Sequence, residues 1–473
     1  MSITLAQDAN AASGRRRLAL WTILAAQLML QMDFLIVIVA LPRIQQDLDF
    51  SPATLSWVPN AYGLAFGGLL LLGGRLGDMI GQVRAFRAGL IVFVLASLFG
   101  GLAQSPGLLI AARVLQGVGA ALAGPSVLAL VTVMARDESE RARGMSLFIA
   151  VSSIGASAGL ILGGLLTEFL SWRWALLINV PVGFAVIAAI GRLVEETRPK
   201  AAKLDIGGAV TATFGSVSIV YGFIHAAERG WGTVGTILPF FASVCLFATF
   251  LRIESKHVDP LLHLSLLRNR PRLAGLAVMA LIVGMHFSVI FMLVQFLQRV
   301  LELSPLMAGL AYVPLNATVF LISPFIPKLV LRFGPRSLLI SGSALVALSL
   351  IMFSTLDENS RYLQGVLVPL LVHALGVTLV FAPGTVAIMS GVPDVHAGTA
   401  SGLLQMDQQI GGVLGIAVVT AVYAMGASSE RFTDGLATAF LAAAALSLVA
   451  GAIAWRTESN SAQSEITTQG RLG

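Results

Sequence analysis

Apolar runs of about 18 residues or more follow one another from end to end of this chain, and no globular stretch separates them. Each is long enough to cross a hydrocarbon core of about 30 Å as a helix, so the recurrence leaves one kind of fold: an all-α integral membrane protein. About fourteen spans are predicted, at 18–41, 56–76, 85–104, 109–134, 145–167, 174–193, 207–226, 234–252, 272–297, 305–330, 337–355, 364–388, 398–425 and 436–455. Composition agrees. Of 473 residues, 56% are hydrophobic and 11% charged, with a mean hydropathy of +0.86, whereas a soluble chain is about one-quarter charged.

Charge placement orients the spans. With both termini cytoplasmic, the inner segments hold about 23 of the 30 Lys and Arg and the outer loops about 6, leaving Arg113 within a span. The basic residues are spread over short loops, so the net charge of +6 marks inside-positive topology and nucleic acid is not a partner. Arg15, Arg16 and Arg17 precede the first run, but that run is too long for a signal peptide and lacks a small-residue cleavage site. A multi-pass protein of the cytoplasmic membrane is expected.

Several chemistries are excluded. The lone Cys245 rules out an intramolecular disulfide and a multi-cysteine metal site, and is read as a small packing residue. No phosphate-binding G-x-x-x-x-G-K-[ST] loop occurs, and none of Lys200, Lys203, Lys256 and Lys328 follows a glycine, so ATP hydrolysis has no seat. The stretch "GASAG" places Ser157 between Gly155 and Gly159 in the pattern of a nucleophile elbow, yet an elbow needs a preceding strand and this serine lies in an apolar run. Close helix packing through small residues four apart explains the glycines instead. No cofactor, no metal and no enzymatic activity are expected, and a proton gradient is left as the energy source.

Asp33 breaks the first run. Its neighbours three and four positions away, Met29, Leu30, Ile36 and Val37, have nothing to offer a carboxylate. Facing lipid it would cost at least about 2.5 to 3.5 kcal/mol, so it should face the bundle interior or a water-filled cavity. At 1.5 Å per residue Asp33 stands about 22 Å from the inner end of its span, and Arg113 about 6 Å below the outer end of an inward-running fourth span, so their depths agree. Gln116, one turn further along, could support the guanidinium. A carboxyl poised between desolvation and an arginine can load and release a proton.

These residues sit in motifs. "MDFLIVIVALP" around Asp33, "GRLGDMIGQVR" from Gly74 to Arg84, "RVLQGVGAALAGP" from Arg113, "WRWALLINVPVG" from Trp172 to Gly183, "ERGW" ending at Trp231 and "SPLMAGLAYVP" ending at Pro314 follow in order. In that order and spacing the chain resembles the major facilitator superfamily, specifically its fourteen-span drug:proton antiporter family, over nearly its whole length. The resemblance implies proton coupling at Asp33 and a cytoplasmic gate formed by Gly74, Gly77, Asp78, Gly81 and Arg84, with Asp78 and Arg84 latching it. Met79, Gln82 and Val83 stand where the family usually carries basic residues. The family's fifth-span motif survives as the packing glycines Gly155, Gly159, Gly163 and Gly164, but Leu160 replaces its proline.

The organisation fits two six-helix bundles plus two extra central helices: a tail at 1–17, a bundle at 18–193, a linker with two helices at 194–271, a second bundle at 272–455 and a tail at 456–473. "PKLVLRFGPRSLL" from Pro327 holds in the second half the place of "GRLGDMIGQVR" in the first. Asp407, about 15 Å into its span, is a second membrane acid that could bind a proton or cation, or tie helices together with Gln405, Gln408 and Gln409. His286 could titrate, bind substrate or simply pack. Phe34, Tyr62, Gln116, Phe291 and Tyr312 are the remaining candidates for a substrate pocket. The sequence thus points to a monomeric, proton-coupled exporter of amphipathic, cationic compounds, its partners being that substrate, protons and the lipid bilayer. An importer or metabolite facilitator on the same fold is the alternative, ahead of a membrane sensor or a membrane-embedded serine hydrolase.

Overall fold

The structure, a computed structural model, describes residues 2–135, 137–199, 204–257, 260–392, 397–427 and 432–456. Nearly all of them are helical, and no strand occurs among the described residues. A bilayer core offers no water to N–H and C=O groups, so a spanning segment must satisfy them within itself. Among the described residues thirteen helical stretches are long and apolar enough to cross a membrane. The difference from the expected count lies at Pro305–Phe353, where the runs 305–330 and 337–355 continue as one stretch. Within it Gly334 has a φ of +75°, a conformation open to glycine, and the chain changes direction there. Gly81 holds the matching place in the first half, with a φ of +100°. The faint sequence repeat is therefore a repeat of backbone geometry.

The chain forms two compact units. The first runs through Leu261 and adds Ile290–Val313 and Ile416–Ala421; the second comprises Leu262–Val289, Pro314–Gly415 and the chain from Val422.

The first unit holds α1 (Ser2–Leu48), α2 (Trp57–Ile80), α3 (Gln82–Gly101), α4 (Pro106–Val133), α5 (Glu138–Phe169), α6 (Trp174–Leu177), α7 (Asn179–Leu193), α8 (Ile206–Arg229), α9 (Val234–Glu254), the end of α10 (Arg270–Arg299) and α11 (Pro305–Leu310). Polar caps place several starts ahead of the apolar runs. Ser105 accepts from Leu108 N with Pro106 next in line, Asp137 from Glu140 N at 2.8 Å and Asp205 from Gly208 N at 2.7 Å.

Small residues bring helices to backbone contact. A β-carbon at Gly163 would sit 2.4 Å from the Ile36 carbonyl oxygen, and one at Gly159 would sit 2.8 Å from that of Met32. Gly155 meets Gln31 and Leu28 on the same face of α1, whereas Gly164 meets Pro305 of α11. Three of the glycines thus form a seam on α5 toward α1, while Gly164 faces α11, where Gly309 meets the backbone of the buried Leu160. Helices α8 and α9 pack together through a Ser243 hydroxyl that donates to the Gly215 carbonyl at 2.9 Å. The other face of α9 presents Phe241 and Val244 outward, and Cys245 with them. This corrects the reading of Cys245 as a packing residue: a helix that touches neighbours on one side leaves the rest to lipid.

The second unit holds the start of α10, α12 (Val313–Ile322), α13 (Ile326–Phe353), α14 (Val368–Met389), α15 (Ala397–Gly426) apart from Ile416–Ala421, and α16 (Asp434–Arg456). α15 lies along α10 in parallel, Gly411 against Ala280 and Gly415 against Gly284. The expected C-terminal tail beyond Arg456 lies outside the described residues.

Candidate functional site

Asp33 is fully buried in the first unit, and two other helices, α4 and α7, supply its partners. Arg113 of α4 forms an ion pair with Asp33 Oδ2 through Nη1, which also donates to Gln116 Oε1 at 2.9 Å. Gln116 Nε2 donates to Asp33 Oδ1 at 3.0 Å and to Ser97 Oγ of α3 at 2.8 Å. Asn179, the first residue of α7, donates to Asp33 Oδ1 at 2.7 Å. The Ser97 hydroxyl donates to the Phe93 carbonyl at 2.8 Å, so its oxygen is free to accept. Arg113 Nε is fixed by the Val58 carbonyl of α2 at 3.0 Å, and the guanidinium lies 4.5 Å over the Tyr62 ring. Its Nη2 has no hydrogen-bond partner.

Asn179 and Ser97 were not among the sequence candidates. Asn179 lies in "WRWALLINVPVG", whose opening residues explain its position. Trp172 Nε1 and Arg173 Nη1 both donate to Asp47 near the end of α1, at 2.8 and 2.6 Å. Arg173 also reaches the Ala103 carbonyl at 3.2 Å. This clamp fixes α6 and the start of α7 against α1, and the amide arrives at Asp33. Depth along a helix identified Arg113 and Gln116. Nothing comparable pointed to an asparagine outside any acid motif.

In the loop motif Asp78 and Arg84 have separate partners. Asp78 accepts from the Gln82 amide at 3.1 Å. Arg84 faces Glu196, 3.8 Å away, in the segment that follows α7. Glu196 also accepts from Val83 N at 3.0 Å and Arg84 N at 2.9 Å, while Thr197 Oγ1 accepts from Gln82 N at 2.8 Å. Three orphan N–H groups at the start of α3 are thereby satisfied by one carboxylate and one hydroxyl. A β-carbon at Gly81 would strike Glu196 Oε1 at 2.3 Å, one at Gly77 the Gln82 side chain, and Gly74 faces Pro125. With the usual basic residues absent, Gln82 takes their place beside Asp78.

The expected pocket residues are core. Tyr62 and Gln116 belong to the Asp33 cluster, and Phe34 packs on Tyr62 with ring centres 6.1 Å apart. Phe291 and Tyr312 are fully buried in the first unit, the tyrosine donating to the Ile290 carbonyl at 3.0 Å. Two surface clefts, of about 540 and 420 Å³, are lined by other residues, among them Gln45 and Arg299 in one and Arg15 and Arg16 in the other. In the second unit, His286 lies against His373 of α14, a residue the sequence reading passed over. Asp407 has an Oδ2 without a hydrogen-bond partner.

Comparison with known proteins bears on this arrangement. The family model described as Major Facilitator Superfamily matches residues 23–416. The chain is 37% identical over 454 residues to the cephamycin export protein CmcT of Amycolatopsis lactamdurans, covering 91% of this chain and 92% of that one. It is 37% identical over 426 residues to the puromycin resistance protein pur8 of Streptomyces alboniger, covering 89% and 84%. Among solved structures, a peptide transporter POT in complex with sulfate superposes with a TM-score of 0.68 over 93% of this chain and 94% of that one, at 16% identity, which shows the fold. With a family model running from α1 into α15, and with relatives similar along most of their length, the chain belongs to the Major Facilitator Superfamily, as a multi-pass membrane transporter and not an enzyme.

Proposed function

We propose that the chain is a proton-coupled exporter of amphipathic, positively charged organic compounds working by alternating access, with two six-helix bundles at 18–193 and 272–455, the extra helices between them and both termini cytoplasmic. The observation that carries this reading is the buried Asp33–Arg113 pair. Three side-chain donors reach Asp33, and the guanidinium balances the charge of its carboxylate form. Adding a proton removes that balance and leaves the Arg113 guanidinium without a counter-charge inside the membrane. Losing one partner of a buried pair costs about 3–5 kcal/mol, enough to favour a different arrangement of α1 against α4 and α7. Protonation at one membrane face and release at the other would then drive the change of state. Two relatives are named for export or resistance, which supports the outward direction.

The experiment is transport into liposomes under an imposed pH gradient, in wild type and in Asp33→Asn. The asparagine keeps the size and part of the hydrogen bonding but cannot cycle a proton. We expect uphill transport to vanish while downhill exchange of substrate persists. Uphill transport at the wild-type rate in Asp33→Asn would overturn the assignment.

A further inference from the structure

Ser349 of α13, His373 of α14 and His286 of α10 form a buried chain within the second unit. The Ser349 hydroxyl donates to the Val346 carbonyl at 2.6 Å, and its oxygen lies 3.0 Å from His373 Nδ1. His373 Nε2 lies 3.2 Å from His286 Nδ1. The two imidazole planes differ by 10° with centres 5.4 Å apart, which exceeds the nitrogen separation by about one ring width. The rings are therefore edge to edge in nearly one plane, in line for N–H···N bonding.

This geometry fixes the protons. Ser349 has one hydrogen and spends it on Val346, so its oxygen accepts and His373 carries hydrogen on Nδ1. Neutral His373 then offers a lone pair at Nε2, and His286 must carry its hydrogen on Nδ1. One acceptor is left over, Nε2 of His286. His373 is completely buried, whereas His286 is partly exposed, so the His286 end of the chain is the more accessible one.

We infer that the second unit carries a proton-binding site of its own, in which His286 Nε2 accepts a proton and the resulting positive charge is shared with His373 through the hydrogen bond between the rings. Binding forms one N–H bond at His286 Nε2. The Nδ1 proton can then pass to His373 Nε2, so the cation has two places to reside. Few other charges face the pair. On α10 the charged residues are Arg270, Arg272 and Arg299, each at least 13 residues from His286 and so about 20 Å away along the helix. α13 carries Lys328, Arg332 and Arg336 at its far end, and α14 has no charged side chain besides His373. α16 has Asp434 and Arg456 at its two ends. On α15 the acid is Asp407, one turn before Gly411 and so about 15 Å from His286 along the shared axis. Phe381 covers the edge of the His286 ring, with centres 6.3 Å apart. The pair holds its charge by sharing it, not by ion pairing.

The site extends the proton-coupled reading and is separable from it. The test is nitrogen-15 spectroscopy of the full chain in lipid bilayers with labelled histidines, the signals of the pair assigned from His286→Gln and His373→Gln. At neutral pH both rings are expected as Nδ1–H tautomers. On acidification over roughly pH 8 to 4 their signals should move together, and in His373→Gln the His286 signal should move alone. Ser349→Ala keeps both rings but removes the acceptor that sets the direction of the chain, so the Nε2–H tautomer of His373 should appear. Rings that stay neutral over the whole range, that titrate independently, or whose tautomers ignore Ser349 would overturn the inference. Loss of uphill transport in Asp33→Asn with an unchanged titration of the pair would leave both readings standing. Transport that remains proton-driven while the pair stays neutral would remove this one alone.

Discussion

Arg113 serves Asp33 through geometry as much as through charge. Its Nε is held by the Val58 carbonyl, its Nη1 by Asp33 and Gln116, and its face lies on Tyr62. A planar fork can meet all of these at once, whereas an ammonium offers a point charge. We therefore expect Arg113→Ala to abolish uphill transport and Arg113→Lys to restore only a small part of it. Asn179→Ala should act more gently. It removes one of two donors to Asp33 Oδ1, so uphill transport should fall by roughly tenfold and not vanish. Uphill transport rates in liposomes check both variants. A wild-type rate in Asn179→Ala would show that the amide only packs. At this scale the acid and its arginine were legible in the sequence, because an ion in an apolar run stands out and a helix has a fixed rise. Asn179 and Ser97 were not, since neutral polar residues in a span are common and only the fold shows which of them meet.

Among the elements, α3 depends on the segment after α7 for its first turn. Glu196 accepts from two backbone N–H groups and faces Arg84, while Asp78 accepts from a side-chain amide. Hydrogen bonds to a charged group contribute about 1.5–3 kcal/mol each, so Glu196→Ala should loosen this end of the bundle more than Asp78→Ala does. We expect at least a roughly tenfold shift in the equilibrium between inward-open and outward-open states in Glu196→Ala, and a smaller one in Asp78→Ala, read by cross-linking or distance measurements across that end. Equal effects would return the gate to Asp78. Helix positions were readable from hydropathy, whereas their ends were set by caps such as Asp137 and Asp205 that lie outside the apolar runs. The glycines Gly155, Gly159, Gly163 and Gly164 were legible as packing residues, but that the first three meet α1 and the last α11 was not.

At the scale of the whole molecule, the two units carry different ionisable groups: a closed ion pair in the first, and in the second a histidine pair and the acid Asp407. If Asp407 receives the positive charge of the substrate, Asp407→Asn should reduce export of monovalent cations by about tenfold or more while neutral compounds of similar size keep their rates, since a membrane charge without a match costs at least about 2.5 kcal/mol. Counter-transport in liposomes with both classes of compound decides it; equal rates for the cations in both proteins would exclude Asp407 as their site. By itself the sequence determined what one dimension encodes: that the chain crosses a bilayer many times, which segments do so, and that Asp33 must find a partner at its own depth. Hydropathy, helical rise and the cost of a lone charge act locally and need no fold to be read. The tertiary structure alone decided which neutral groups complete the Asp33 cluster, that Glu196 meets Arg84 and the first turn of α3, and that His286 meets His373. Those are contacts between residues far apart in the chain, and they depend on how closely helices approach and turn, which is set by all their packed faces together.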